Sequence, residues 1–116
     1  MRVSQSDIVE VMFPLLNGQL KPHPAIIISN REVFEVEGVY IMVMLSTKNY
    51  NDEFIYEIHP KMVNYQSDRV SYAKLQLIET FDADEVMQRF GSLKSEHFKE
   101  LLKKLNQSVF SFGLNP

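Results

Sequence analysis

The sequence contains no cysteine, and this absence excludes several kinds of site at once. Without thiols the chain cannot form a disulfide scaffold, a thiolate zinc site or a cysteine nucleophile. A chain free of cysteine suits the reducing environment of the cytoplasm, where structural disulfides are rare. We therefore expect a cytoplasmic protein that is held together by its core and not by covalent cross-links.

Long hydrophobic runs are also missing from the sequence. The longest, residues 39–45, has the length of a strand and falls well short of the ~20 residues that a membrane-spanning helix needs. The first seven residues, Met-Arg-Val-Ser-Gln-Ser-Asp, contain no apolar stretch long enough for a signal peptide. The sequence therefore predicts no membrane association.

Charge of one sign does not dominate, since 12 Lys and Arg residues stand against 15 Asp and Glu residues, for a net charge of −3. This balance gives no overall attraction to nucleic acid, so RNA binding would require a local basic patch. The length of 116 residues and the apolar content of 45% are typical of one globular domain. We expect residues 1–116 to form a single domain.

Strand-like segments fill the first part of the chain. Alternating or β-branched residues predict strands at residues 7–13, 25–29, 39–46, 53–58 and 71–79. The second of them is preceded by Lys-Pro-His-Pro at residues 21–24, where two prolines remove backbone donors and stiffen the chain. Short strands at this spacing favour a small β-barrel or a strongly curled sheet.

The last third of the chain changes to a helical period. Asp82, with Glu85 three residues later, predicts the start of a short helix that Gly91 ends. Ser95 is the predicted N-cap of a longer helix, which we expect to cover an open edge of the barrel. Its apolar residues recur at helical spacing: Phe98, Leu101, Leu102, Leu105 and Val109.

Four segments of the sequence occur in an order and at a spacing typical of one known family. They are Ser-Asp-Ile-Val-Glu-Val at residues 6–11, Lys-Pro-His-Pro-Ala-Ile-Ile-Ile-Ser-Asn at 21–30, Leu-Ser-Thr-Lys at 45–48 and Ser-Tyr-Ala-Lys-Leu-Gln-Leu-Ile-Glu-Thr-Phe-Asp at 71–82. In these segments, and in Phe-Gly-Ser-Leu at residues 90–93, the chain resembles the PemK/MazF/Kid family of toxins. The resemblance covers residues 6–109.

This resemblance implies a mainly β fold with added helices, namely a small SH3-like β-barrel of the PemK/MazF/CcdB type with a C-terminal helix. Active members of the family are metal-independent endoribonucleases that cleave single-stranded messenger RNA. In that reaction the ribose 2′-OH attacks its neighbouring phosphate, which requires a base, an acid and groups that stabilise the developing charge. The resemblance thus implies single-stranded RNA, a cognate antitoxin and a second copy of the chain as partners, with no cofactor and no metal.

The resemblance also assigns four candidate catalytic positions. His23 stands where the family has an Arg before Pro, and a histidine can exchange protons near neutral pH although it lacks the guanidinium fork. Ser46 matches a hydroxyl at a strand end, which can donate to a phosphate oxygen. Lys74 matches a basic position. Gln76 matches one that is acidic in some members, and its amide can orient RNA or water but cannot transfer a proton.

RNA binding is assigned to Lys21, Thr47 and Lys48, which would form a rim of loops over the phosphates. Glu57 is interpreted as a solvated charge on a half-exposed strand. Three tyrosines are candidates either for stacking on unpaired bases or for ordinary cross-strand packing: Tyr50, Tyr56 and Tyr72.

Two other functions remain open at this stage. His23 in place of Arg, Gln76 in place of an acid and the net negative charge are compatible with a barrel that no longer cleaves RNA and serves as a nucleic-acid- or protein-binding module. The apolar tail at residues 109–114, Val-Phe-Ser-Phe-Gly-Leu, suggests a purely structural interaction protein instead. The leading hypothesis is a ribonuclease of the toxin family.

Overall fold

The computed structural model of the protein describes residues 2–49 and 53–113. Two 3₁₀ turns, Pro60–Met62 and Ala83–Glu85, connect its main elements. In chain order these are β1 (Asp7–Pro14), β2 (Leu20–Ile27), α1 (Arg31–Glu37), β3 (Val39–Ser46), β4 (Ile55–Ile58), β5 (Ser71–Asp82), β6 (Gln88–Ser92) and α2 (Ser95–Ser108). The expected mainly β fold with a C-terminal helix is therefore confirmed.

The strands form one antiparallel sheet in the order β4-β5-β3-β2-β1-β6. Within the described residues, the edge strands β4 and β6 are not paired with each other, so the barrel is not strictly closed. A single bridge between Val63 and Leu93 joins the segments that follow these two strands. The sheet is thus a curled barrel with a narrow opening between its edges.

Side chains on the two faces of the sheet form two separate cores, as the period of two along a strand requires. On the face that packs against α2, here the α2 face, Ile26, Val43 and Leu75 are buried together with the residues of the helix. On the opposite face, here the far face, Val11, Ala25 and other strand residues pack around Met44, Phe81 and Tyr40. The candidate site discussed below lies on the far face.

Helix α2 is amphipathic and covers the α2 face with Phe98, Leu101 and Leu105, all of which are buried. Leu102 and Val109 pack against the same core, so all five predicted apolar positions make contact with it. The helix begins one residue earlier than expected, because Lys94 and not Ser95 occupies the N-cap.

Polar contacts fasten α2 to the edge strand β4. The Lys104 ammonium donates to the carbonyl of Ile55, and the Tyr56 hydroxyl donates to Glu100 Oε1 at 3.0 Å. The same Glu100 oxygen accepts from Nδ1 of His97, also at 3.0 Å. The two donors lower the pKa of Glu100, His97 more than Tyr56. The pKa of Tyr56 is raised by its burial and by its bond to Glu100.

Replacing Glu100 with glutamine should therefore destabilise the protein in a pH-dependent way. Because the pKa of Glu100 is lowered in the folded state, its carboxylate stabilises the fold above its ordinary pKa of 4.5, and this stabilisation is lost as the pH falls through the folded value. We expect Glu100→Gln to melt below the wild type at pH 7 and together with it at pH 3. Equal melting temperatures at pH 7 would contradict the role of this contact.

The predicted short helix after Asp82 is wrong. Glu85 Oε2 does accept from the backbone N–H of Asp82 at 2.6 Å, as a capping box requires, but the turn lasts only for Ala83–Glu85. The chain then enters β6, whose Gly91 pairs with Ile8 of β1. Pairing with a strand distant in sequence outweighed the local helix signal.

Two other elements differ from the expectation. Strand β2 starts at Leu20, so residues 21–24 lie within it, and it ends at Ile27. Helix α1 was not expected, although Asn30 caps it by accepting from Val33 N at 3.2 Å and Gly38 ends it with φ +71°. It buries no residue, which explains why hydrophobic periodicity does not reveal it.

Candidate functional site

A row of polar residues crosses four neighbouring strands of the sheet. Glu57 of β4 pairs with Tyr72 of β5, and Tyr72 pairs with Ser46 of β3. The recorded β2–β3 pairing ends at Ala25 and Met44, and continuing that register by two residues sets His23 beside Ser46. We call Glu57, Tyr72, Ser46 and His23 the polar row.

All four side chains of the polar row belong to the far face. Their chain neighbours Tyr56, Ala73 and Leu45 pack in the core of the α2 face, and alternate residues of a strand point to opposite sides. His23 lies two residues before Ala25, which is buried in the core of the far face. Neighbouring strands lie about 4.8 Å apart, so the row spans roughly 14 Å.

Two prolines shape the backbone around His23. Pro22 and Pro24 lie within β2 and pair with Met12 and Glu10 of β1, but neither has an N–H to donate. The pairing of β2 with β3 covers only Ala25–Ile27, so the ladder between these two strands does not extend to His23. His23 is half-buried and therefore reachable from solvent.

The hydroxyl of Ser46 lies at the end of β3 and is positioned by the turn that follows. Its oxygen accepts from the backbone N–H of Lys48 at 3.1 Å, which leaves the hydroxyl proton free to donate to a ligand. Thr47 and Lys48 are exposed beside it. Lys21 is also exposed and shares the far face with His23, since it pairs with Phe13 of the far-face core. These residues together make a basic rim at one end of the polar row.

Lys74 and Gln76 occupy different environments. Lys74 lies one row below the polar row, between Met44 of β3 and Ile55 of β4, and only 5% of it is exposed. Gln76 is exposed and lies in a bulge of β5. The bulge is seen in the pairing with β3, where the consecutive residues Val43 and Met44 pair with Ile78 and Lys74, which are four residues apart. Both residues have interaction partners. Lys74 can therefore act on the site through its charge but offers little surface to a ligand.

Glu57 and Tyr72 complete the row, and sequence motifs indicated them only in part. Tyr72 is half-buried between Ser46 and Glu57. The Glu57 carboxylate is exposed, and its Oε2 lies 3.2 Å from Nε2 of His59. Tyr56 belongs to the opposite face and binds Glu100, and Tyr50 lies outside the described residues.

An apolar groove of about 430 Å³ opens on the far face, next to the polar row. The turn between β1 and β2 folds back over the sheet to form it. Met44, two residues before Ser46 in β3, lines the groove. The other lining residues are Pro14, Leu15, Leu16, Asn17 and Leu77. The site thus combines proton-exchanging, hydroxyl and cationic groups with adjoining apolar surface.

A second pocket, of about 230 Å³, is lined by residues outside the polar row, among them Arg2, Ser4, Asn30, Arg31 and Tyr40. Among residues 2–49 and 53–113, no group of three or more His, Cys, Asp or Glu side chains could hold a metal ion. No helix in this part of the chain is both long and apolar enough to cross a membrane. In the apolar tail, Phe110 and Phe112 are exposed, whereas Leu114 lies outside the described residues.

Comparison with known proteins identifies the family. The model of the PemK-like, MazF-like toxins of type II toxin–antitoxin systems matches residues 4–109. The chain belongs to this family. No protein of curated function matches the sequence.

Solved structures of MazF-like toxins share the fold over almost their whole length. A mycobacterial endoribonuclease in complex with its cognate antitoxin superposes with a TM-score of 0.74 at 15% identity, covering 97% of this chain and 99% of that one. MazF from Deinococcus radiodurans gives 0.74 at 11% identity, with 96% and 99% covered. The toxin MazF-mt6 from Mycobacterium tuberculosis gives 0.70 at 11% identity, with 92% and 99% covered. At these identities the likeness establishes the fold of the MazF-like chain and not its chemistry.

Proposed function

We propose that this protein is the toxin of a toxin–antitoxin pair and cleaves single-stranded messenger RNA without a metal ion. The single observation that carries the proposal is the polar row. It includes an imidazole at His23 within β2 and a hydroxyl at Ser46 at the end of the neighbouring strand β3, in a chain of the MazF-like toxin family. The basic rim of Lys21, Thr47 and Lys48 supports it, because RNA needs cations and donors for its phosphates.

Two residues of the polar row, with Lys74 and Gln76 nearby in β5, match the steps of the proposed reaction. The ribose 2′ oxygen attacks the adjacent phosphorus, the bond from phosphorus to the 5′ oxygen breaks, and a 2′,3′-cyclic phosphate and a 5′-hydroxyl result. His23 exchanges either the proton that leaves the 2′-OH or the proton that enters the 5′ oxygen, and water exchanges the other. Ser46 donates to a phosphate oxygen, while Lys74 stabilises the negative charge from below and Gln76 orients RNA or water.

The proposed partners follow from the family and from the solved relatives. The mycobacterial endoribonuclease is in complex with its cognate antitoxin, and MazF of Deinococcus radiodurans has been solved with MazE. We propose that a cognate antitoxin likewise inhibits this chain and that the chain acts as a homodimer. Its site of action is then the cytoplasm, where messenger RNA is translated.

One observation favours a second function. Lys74 is almost fully buried, so the site offers fewer cations to a phosphate than the sequence suggests. His23 and Gln76 also replace an arginine and an acid of the family pattern. The alternative is therefore a barrel that binds RNA or a protein partner but no longer cleaves RNA.

A cleavage assay separates the two functions. Purified protein incubated with single-stranded RNA in EDTA should give products that end in a 2′,3′-cyclic phosphate or its 3′-phosphate hydrolysis product. Binding that weakens as the salt concentration rises, without cleavage, would favour the binding module. Growth arrest on expression, relieved by co-expression of an acidic, partly disordered protein encoded beside it, would support the toxin–antitoxin pairing.

A further inference from the structure

Two residues of the polar row, Tyr72 and Glu57, have no role in the proposed cleavage step. Tyr72 follows Ser46 across one strand, and Glu57 follows Tyr72 across the next. Both side chains face the same side of the sheet as His23, and both are accessible from solvent. A ligand that contacts His23 and Ser46 with its phosphate therefore has an aromatic ring and a carboxylate directly beside it.

We infer that Tyr72 and Glu57 form a nucleobase subsite that selects guanine next to the phosphate held by His23 and Ser46. This inference rests on the proposed function, since it assumes that the polar row binds single-stranded RNA. Tyr72 supplies the platform on which the base stacks, and Glu57 reads the edge of the base.

The position of Tyr72 suits stacking. Its ring is half-buried, so the backbone and neighbouring side chains hold it in place while one part of it stays open. Stacking on an aromatic ring stabilises any unpaired base, because every base has a π-face. Tyr72 therefore contributes affinity without choosing among the bases.

The choice of base falls to the Glu57 carboxylate, which only accepts hydrogen bonds. The Watson–Crick edge of guanine offers two adjacent donors, N1–H and the N2 amino group, which match the two carboxylate oxygens. Adenine and cytosine offer one amino group each, and uracil one imino group. His59 lies 3.2 Å from Oε2 and orients the carboxylate, whose remaining lone pairs stay available.

The test measures binding to RNA that cannot be cleaved. Fluorescence anisotropy at one fixed salt concentration would compare 2′-O-methyl oligouridines that carry a single guanosine, inosine, adenosine or cytidine. Inosine lacks only the N2 amino group, so it isolates one of the two donors. We expect the wild type to bind the guanosine oligomer about tenfold more tightly than the others, since a bidentate base contact discriminates by roughly this factor.

Variants assign the two roles separately. Glu57→Gln should lose the tenfold preference for guanosine. Glu79→Gln, which removes an exposed carboxylate from the distant half of β5, should keep it. Tyr72→Leu should weaken binding of all four oligomers about tenfold, and Tyr72→Phe should bind like the wild type.

The inference is overturned if the wild type binds the four oligomers equally, if Glu57→Gln keeps the preference, or if Tyr72→Leu binds as tightly as the wild type. Cleavage of the unmodified RNAs, measured in parallel, distinguishes this failure from that of the proposed function. Selective binding without cleavage overturns the nuclease but supports the subsite. Cleavage that does not depend on Glu57 or on the flanking base overturns the subsite alone.

Discussion

Replacing His23 with alanine should slow RNA cleavage by at least ~100-fold while the protein stays folded. A side chain that exchanges a proton in the transition state contributes about 10²- to 10⁴-fold to a rate, and His23 is the imidazole of the polar row. The fold should tolerate the change, because His23 is half-exposed and the flanking prolines continue to fix the backbone. Initial rates on single-stranded RNA in EDTA, together with a thermal melt, measure both quantities.

The chain provides a matched control in His97. This histidine lies on α2, on the opposite side of the sheet, and its contact is Glu100. His97→Ala should cleave RNA at the wild-type rate. Unchanged cleavage in His23→Ala, or an equal loss in both variants, would contradict a role for His23 in the reaction.

His23→Arg separates two explanations for the effect of His23. Arginine restores the residue typical of the family and gives a permanent charge with a bidentate fork, but it does not exchange protons near neutral pH. If His23 transfers a proton, His23→Arg should bind RNA more tightly than the wild type and still cleave slowly. If charge on the phosphate is what matters, this variant should cleave at least as fast as the wild type.

The sequence predicted best those elements whose own residues show a hydrophobic pattern. Strand β3 was expected at residues 39–46 and is Val39–Ser46, because its apolar run is buried on both faces. Helix α2 was expected from five apolar residues, and all of them pack on the core. Helix α1 has no fully buried residue, so only its caps at Asn30 and Gly38 signal it, and such caps also occur in turns.

The candidate site was predicted only in part, because its composition depends on strand register. Sequence motifs pointed to His23 and Ser46, and a continuation of the β2–β3 register beyond Ala25 sets them on neighbouring strands. No local pattern reveals that Glu57 lies opposite Tyr72. Nor does any pattern reveal that Lys74 is buried, because apolar and polar residues alternate along its strand as they would in a half-exposed strand.

The largest effect on stability is expected from Gly91→Ala. Gly91 is buried in β6 at φ +156°, a conformation that residues with a side chain rarely adopt. A Cβ at this position would lie 2.3 Å from Cδ1 of Tyr65 and 2.8 Å from Oδ1 of Asn64. Asn64 cannot move away easily, since it makes three hydrogen bonds to Ser92 at 2.8 to 3.0 Å. Overpacking and strain together should cost about 3 kcal/mol, or more than about 10 °C in melting temperature.

Gly38→Ala is the control, because Gly38 also has a positive φ but a side chain there meets no crowding. Gly38 has φ +71° at the end of α1, and a Cβ there would meet nothing within 4 Å. We expect it to cost about 1 kcal/mol, as for other glycines in left-handed helix caps. The excess cost of Gly91→Ala should shrink when Tyr65 is truncated to alanine, because the closest contact is then gone. Equal costs for the two glycine variants, or no relief from Tyr65→Ala, would show that β6 can shift to make room. Crowding by the segment around Tyr65 would then not be the reason that position 91 requires glycine.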